Sequence, residues 1–157
     1  MTTASQVLAG IAVLASACIY GADLFAGLVL RAALSHLDDH TLTTTMGYIH
    51  RYGDRRLPAP FLIGLAATIL TTATAALDGR TTAAVAGGIA VTAFVVWIGL
   101  FFRVSAPINR ELIAAALAGE TPANVRALQQ RWDRIIPIRF GLQTIALAAL
   151  CTTLALA

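Results

Sequence analysis

Four long apolar runs dominate the chain, and its polar residues are collected in the segments between them. The runs cover approximately Val7 to Leu30, Pro60 to Leu77, Thr82 to Phe102 and Ile135 to Ala157. A helix needs about 20 apolar residues to cross the hydrocarbon core of a bilayer. The pattern therefore predicts a single all-α membrane domain over residues 1–157, built as a four-helix bundle with up-down topology.

The polar segment between the first and second runs also has a helical pattern. Apolar residues recur there at helical spacing across residues 38–52, which predicts an amphipathic helix lying at the membrane surface. Asp38 or Asp39 is suited to cap the start of this helix. Gly53 is suited to end it.

The third and fourth runs are predicted to continue as helices beyond the bilayer. Pro107 would kink or restart the third helix, and Gly119 would end it. Thr121 followed by Pro122 is typical of a helix start, and a final helix from Pro122 would be about 54 Å long. We therefore expect helices three and four to extend together on the cytoplasmic side.

The basic residues are all arginine, and ten of the eleven lie in two segments. Four lie between the first and second runs, and six lie between the third and fourth runs or at their edges. Short loops rich in arginine remain on the cytoplasmic side of a membrane. The distribution predicts a multi-pass inner-membrane protein with cytoplasmic arginine segments and with both termini outside.

Composition changes this picture little but excludes some classes of protein. With 58% hydrophobic and 12% charged residues, the chain is too apolar for an ordinary soluble domain. The net charge of +3 does not indicate a nucleic-acid partner, because the arginines flank apolar runs. The expected partners are the lipid bilayer and a lipophilic small molecule. Small residues in the runs would also allow helices of two copies of the chain to pack closely, so a homo-oligomer is a further alternative.

Asp23 is the most unusual residue of the apolar runs. A carboxylate within a bilayer costs roughly 2.5–3.5 kcal/mol on insertion scales, so Asp23 should face the bundle interior and have a partner. Arg103 and Arg139 end their runs at similar depth and are the candidates. Asp23 either fixes the helix register as part of an ion pair or acts chemically, as a base or, when protonated, as a hydrogen-bond donor.

Three histidines lie between the first two runs. His36 and His40 are four residues apart, so on a helix they would share a face and form a weak candidate metal site. His50 lies between two tyrosines, close to the second run. It is the better candidate for a general base at neutral pH.

A last group of polar residues flanks the third and fourth runs. Asn109 follows the third run, and Trp132 and Arg139 are seven residues apart on one face of the final helix. An amide, an indole N–H and a guanidinium that converge there could bind an anionic aromatic oxygen. The alternative is that Trp132 and Arg139 only anchor the helix at the membrane interface.

The order of these elements resembles a known family. A glycine-rich first span is followed by His50-Arg51-Tyr52-Gly53, by Pro58 and Pro60, by Pro107-Ile108-Asn109-Arg110, and by Trp132 and Arg139. This order is similar to that of the small four-helix membrane proteins named for the anthrone oxygenases, many of which are known only as a domain of unknown function. The resemblance covers nearly the whole chain, and Asn109, Trp132 and Arg139 are its most specific part.

The resemblance implies a function. Characterised members of that family oxidise anthrones to anthraquinones with molecular oxygen during aromatic polyketide biosynthesis, and no flavin or haem motif is recognised in them. It implies an oxidoreductase of the monooxygenase type with dioxygen as co-substrate and no recognised cofactor. Asn109, Trp132 and Arg139 would be site residues, and His50 is a weaker match. Asp23 lies outside the family pattern.

A mechanism follows as a hypothesis. His50 or Asp23 would remove a proton from the substrate, and Arg139 would stabilise the resulting oxyanion. Asn109, Trp132 and Arg103 would bind the substrate. Two other functions are left open by the sequence: a non-catalytic membrane scaffold or subunit, and a small proton-coupled transporter that uses Asp23.

Overall fold

The computed structural model describes residues 3–156, which form helices joined by turns and contain no strand. The helices are α1 (Thr3–Phe25), α2 (Arg31–Leu34), α3 (Asp39–Arg56), α4 (Pro58–Leu77), α5 (Thr81–Leu100), α6 (Ala106–Ala118) and α7 (Val125–Ala155). Two π-helical turns, Ala26–Leu30 and Phe101–Ser105, join α1 to α2 and α5 to α6. The predicted all-α class is confirmed. The predicted end of the fourth span, Ala157, lies outside the described residues.

Within the described residues, four helical stretches are long and apolar enough to cross a membrane. They are Ser5–Leu34, Pro58–Leu77, Thr81–Ala118 and Val125–Ala155. Large apolar side chains such as those of Leu14, Leu70 and Val95 stay exposed on the outer faces of these helices. Contiguous exposed apolar surface of this kind is what a helix presents to lipid.

The long helices pack into a ring. α1 contacts α4 and α7, and α5 contacts the same two helices from the other side. Small residues let the backbones approach: Gly64 of α4 lies against Ser16 of α1, and Gly87 of α5 lies against Thr72 of α4. Such close approach is typical of helices that associate in membranes.

α3 is held beside this ring by α6. A side chain at Gly47 of α3 would collide with the carbonyl oxygen of Leu112 and the Cβ of Ala116, so the two helices touch through their backbones. Asp38 caps α3, and its Oδ1 accepts a 2.9 Å hydrogen bond from the N–H of Thr41. The prediction that Gly53 ends this helix is wrong, since α3 continues to Arg56.

The third span contains the main irregularity of the fold. Pro107 was expected to kink or restart the helix, and the π-helical turn Phe101–Ser105 ends two residues before it. Proline has no N–H to donate to the carbonyl of Arg103, four residues earlier, so a regular α-helix cannot continue unchanged there. The stretch nevertheless remains helical and ends at Gly119, whose φ of 70° is left-handed as a C-terminal glycine requires.

The final helix begins later than its sequence predicts. Pro122 was expected at the first helical position, but the N–H of Val125 donates to the carbonyl of Pro122 in a turn, and α7 begins at Val125. The helix then passes through Pro137 without ending. It supplies the ring with the polar residues that are described next.

Candidate ligand-binding pocket

A pocket of about 490 Å³ lies among α1, α3, α4, α5, α6 and α7 and both π-helical turns. Its volume falls within the range of roughly 300–1,000 Å³ that is usual for small-molecule sites. Most of its wall is apolar or aromatic. The lining residues with hydrogen-bonding side chains are few and come from five helices: Asp23, His50, Asp54, Trp97, Asn109, Trp132 and Arg139.

A buried ion pair forms one side of the pocket. Arg139 Nη2 of α7 donates to Asp23 Oδ1 of α1 at 2.8 Å, and the two residues are 6% and 5% exposed. Asp23 Oδ2 accepts two further hydrogen bonds, from Gln143 Nε2 at 2.6 Å and from Trp97 Nε1 at 3.2 Å. Three donors therefore hold the carboxylate, which leaves it little capacity to accept a substrate proton.

The guanidinium of Arg139 is held by hydrogen bonds from both of its terminal nitrogens and by two aromatic rings. Its Nη1 donates to Ser105 Oγ at 2.9 Å, and Ser105 ends the second π-helical turn. Its Cζ lies 4.9 Å from the ring centroid of Trp97 and 5.7 Å from that of Phe101, both within cation–π range. A planar cation packed in this way presents a constant geometry to a ligand.

The aromatic residues beside Arg139 form a stacked wall. Phe61 and Trp97 have ring centroids 4.8 Å apart and an interplanar angle of 27°. Trp97 and Phe101 follow at 5.7 Å and 8°. The three rings pack on one another, and Arg139 packs on two of them, so this side of the pocket is a rigid aromatic wall.

α3 supplies the opposite side of the pocket. His50 and Asp54 are four residues apart on this helix, and both line the pocket. The His50 ring lies 5.3 Å from the Trp132 ring, centroid to centroid, at an angle of 57°. Asn109 Nδ2 of α6 donates to both carboxylate oxygens of Asp54, at 3.0 and 3.2 Å.

Several polar atoms of the lining residues are buried without a hydrogen-bond partner among the described residues. They are His50 Nε2, Asn109 Oδ1, Trp132 Nε1 and Arg139 Nε. A buried polar group left unpaired costs about 1–3 kcal/mol. These atoms are therefore available to form hydrogen bonds with a polar ligand or a water molecule.

The two titratable groups of α3 are shifted by their surroundings. Burial, together with the nearby Arg139, lowers the pKa of His50 to about 4, so the imidazole is neutral at neutral pH. Burial raises the pKa of Asp54, and the hydrogen bond from Asn109 and the charge of Arg139 oppose that rise. Both groups resist holding their charged form in this pocket.

The shift at His50 predicts acid sensitivity. A histidine whose pKa falls from 6.5 in the unfolded chain to about 4 in the folded protein costs no stability above pH 6.5. As the pH falls towards 4, the unfolded chain takes up a proton at this histidine more readily than the folded protein does. The free energy of unfolding is thereby lowered by about 3 kcal/mol. The free energy of unfolding of the detergent-solubilised protein should therefore decrease as the pH is lowered from 6.5 to 4.

The matched control is His36→Gln, which changes an exposed histidine, and it should keep the wild-type dependence on pH. His50→Gln should flatten the dependence. An equal slope in His50→Gln and wild type would contradict the assignment.

The structure brings together most of the residues that the sequence singles out. The lining includes Asp23, His50, Asn109, Trp132 and Arg139. Arg103 does not join them: it is exposed in the second π-helical turn and lies outside the pocket. Of the two candidate partners for Asp23, the structure has Arg139.

The interpretation of His36 and His40 as neighbours on one helix is wrong. α2 ends at Leu34, so His36 lies in a turn, whereas His40 lies in the first turn of α3. His40 Nδ1 is 3.2 Å from Thr121 Oγ1, and both histidines are exposed. Within residues 3–156, no three His, Cys, Asp or Glu side chains are grouped closely enough to hold a metal ion.

Four contributors with hydrogen-bonding side chains were not predicted from the sequence: Asp54, Trp97, Ser105 and Gln143. Two of them had a usable signal, because Gln143 is four residues after Arg139 and Asp54 is four residues after His50. Residues with that spacing share a helix face. Ser105 and Trp97 had no such signal, since their roles depend on how α5 is turned relative to α7.

The pocket combines apolar and aromatic walls with the guanidinium of Arg139 and with two titratable residues of α3. No protein-family model, curated protein or solved structure matches the chain.

Proposed function

We propose that this chain is a membrane-embedded enzyme that oxidises a lipophilic, anthrone-type aromatic substrate with molecular oxygen. The observation that carries the proposal is the aromatic pocket with a fixed, buried guanidinium at its edge. In the overall reaction a methylene group flanked by two aromatic rings reacts with one O₂ to give a carbonyl group and one water. The resemblance of the chain to anthrone oxygenases supplies the reaction type.

Each residue of the pocket has a role in this proposal. The ring system lies against Phe61, Trp97 and Phe101, and loss of a methylene proton moves negative charge onto the ring carbonyl oxygen. Arg139 Nε and Trp132 Nε1, which lack partners among the described residues, stabilise that oxyanion.

Asp23 orients Arg139 rather than taking the proton, because three donors already occupy its carboxylate. The base is therefore sought on α3. The fixed ion pair also weighs against a transporter in which Asp23 is the proton carrier.

The substrate is proposed to enter from the lipid. Phe25, Leu62 and Phe102 line the pocket and are also 56%, 59% and 64% exposed on the outer surface of the bundle. An apolar molecule dissolved in the bilayer meets this rim without passing through water. The partners are then the bilayer and the small molecule, with no nucleic acid, and one chain provides the whole pocket.

The orientation of the chain is part of the proposal. The arginine segments face the cytoplasm of a cell that holds the protein in its inner membrane, and both termini face outside. The spans alternate up and down, and α6 with the first turns of α7 extends past the cytoplasmic surface. The pocket then lies near that surface, because α3 and α6 help to form it.

Oxygen uptake and quinone formation from a simple anthrone, with membranes that contain or lack the protein, test the proposal. Ala22 lines the pocket, so Ala22→Trp should fill the site and reduce the rate at least tenfold. Leu14→Trp, on an exposed face of the same helix, is the matched control and should keep the wild-type rate.

Three outcomes are separated by this design. Activity that Ala22→Trp removes and Leu14→Trp keeps supports an oxygenase with its site in this pocket. Activity that survives in both variants places the chemistry elsewhere. A wild-type rate equal to autoxidation overturns the oxygenase proposal and favours a non-catalytic membrane subunit, in which the Asp23–Arg139 pair only holds α1 against α7.

A further inference from the structure

Asp54 combines features that the proposed chemistry leaves unused. It is half-buried, lines the pocket, and lies one helical turn from His50. Asn109 holds both of its oxygens through a single nitrogen, so the carboxylate is oriented but keeps free lone pairs. Asp23 differs on this point, since it receives hydrogen bonds from three side chains.

The two candidate bases of α3 respond oppositely to a proton. Proton uptake by His50 would create a second positive charge near Arg139, inside a pocket with mainly apolar walls. Proton uptake by Asp54 removes a charge that is partly withdrawn from water. Burial therefore opposes the first event and assists the second.

We propose that Asp54 is the base that takes the substrate proton and that Asn109 is its positioning residue. The inference rests on the proposed oxygenase function. His50 then remains neutral and hydrogen-bonds the substrate through Nε2, which has no partner among the described residues.

The proton and electron balance can be written for each step. The C–H bond breaks, its electron pair enters the ring system as an enolate, and the proton moves to an Asp54 carboxylate oxygen. The enolate carbon bonds to O₂, and Asp54 returns the proton to the outer oxygen, which gives a hydroperoxide. Asp54 removes the second hydrogen as the O–O bond breaks, and the carbonyl forms. The departing hydroxide takes that proton and leaves as water, so Asp54 ends unchanged.

The charged and titratable groups around Asp54 come from three helices. His50 lies on its own helix α3, Arg139 acts on it from α7, and Asp23 neutralises Arg139 from α1. α6 contributes the uncharged amide of Asn109. Because Asp23 is paired with Arg139 and His50 remains neutral, we expect Asp54 to control the pH dependence of proton removal.

Hydrogen–deuterium exchange at the substrate methylene, measured without oxygen in D₂O-equilibrated proteoliposomes, isolates this step. The wild-type protein should accelerate the exchange over background. Asp54→Asn keeps an oxygen that can accept from Asn109 but cannot take a proton, so the acceleration should fall about 100-fold or more. His50→Gln should lose less than tenfold, and the matched control Asp78→Asn, in the distant turn between α4 and α5, should lose nothing.

Quenching of tryptophan fluorescence by the product anthraquinone reports whether each variant still has a formed pocket. Asp54→Asn should bind the quinone within about threefold of wild type, which separates lost chemistry from lost folding. A variant that fails this binding test is replaced by Asp54→Ser. Retained exchange in a binding-competent Asp54 variant, or a larger loss in His50→Gln, overturns the inference and leaves the proposed oxygenase intact.

The two measurements also distinguish failure of the oxygenase proposal from failure of the proposal for Asp54. Wild-type exchange that Asp54→Asn loses, without oxygen uptake, would support Asp54 as a base and overturn the oxygenase. A wild-type protein that accelerates neither process overturns both proposals.

The positioning role of Asn109 has its own readout. Its hydrogen bond favours the charged carboxylate, so Asn109→Ala should raise the pKa of Asp54. The pH at which exchange reaches half of its maximum should then move upwards, because a base with a higher pKa loses its proton at higher pH. A lower rate with an unchanged midpoint would assign Asn109 a purely structural role.

Discussion

Arg139→Met is expected to abolish turnover and to destabilise the folded protein by about 3–5 kcal/mol. The substitution leaves the Asp23 carboxylate in the interior of the bundle with hydrogen bonds from Gln143 and Trp97 but without its cation. It also removes the guanidinium that packs on Trp97 and Phe101. Reversible unfolding in mixed detergent micelles measures the stability, and oxygen uptake measures the turnover.

The control for Arg139→Met is Arg134→Met, which makes the same chemical change at an exposed position of α7. It should change stability by less than about 0.5 kcal/mol and leave turnover unaffected. A destabilisation by Arg139→Met of under 1 kcal/mol would mean that water reaches Asp23 and that the pair is not buried in the membrane-embedded protein.

The second large effect is expected from removing both charges at once. The double variant Asp23→Leu with Arg139→Met replaces the ion pair by apolar side chains of similar size, and such replacements are often neutral or stabilising by about 1–4 kcal/mol. The double variant should therefore be more stable than Arg139→Met alone. Its turnover should remain at background, because the oxyanion partner is still missing.

The set of single and double variants separates structure from chemistry. If both charges serve only to hold α1 against α7, the double variant recovers stability, and turnover does not depend on the pair. If the double variant is as unstable as the sum of its single substitutions, the two side chains do not act as a pair. Turnover in the double variant would remove Arg139 from the mechanism.

The sequence predicted the parts of the fold whose length and apolarity are dictated by the bilayer. Length and apolarity are local properties, so the sequence located all four spans, although the third helical stretch continues to Ala118 and the fourth begins at Val125. Two helix ends were harder to place. Gly53 does not end α3 because its backbone stays in the helical region, whereas Gly119 adopts the left-handed conformation and does end α6. Residue type alone does not reveal which glycine will change its backbone conformation.

The site was predictable only in part. A buried carboxylate demands a partner, and Arg139 was one of two arginines that the sequence offered for Asp23. The choice between them depends on the direction in which each side chain leaves its helix. The same limit applies to Asp54, because its contact with Asn109 joins residues that are 55 positions apart in the chain.

The π-helical turns Ala26–Leu30 and Phe101–Ser105 change the direction in which the side chains after them leave the helix. Such a turn contains about one residue more than an α-helical turn, so each later side chain is displaced about 100° around the axis relative to an uninterrupted helix. Asn109 follows the second of these turns. A chain with the same four spans but without the two extra residues would keep the bundle and present different side chains to the same cavity. The specificity of this scaffold is therefore sensitive to insertions and deletions of single residues, which leave hydropathy almost unchanged.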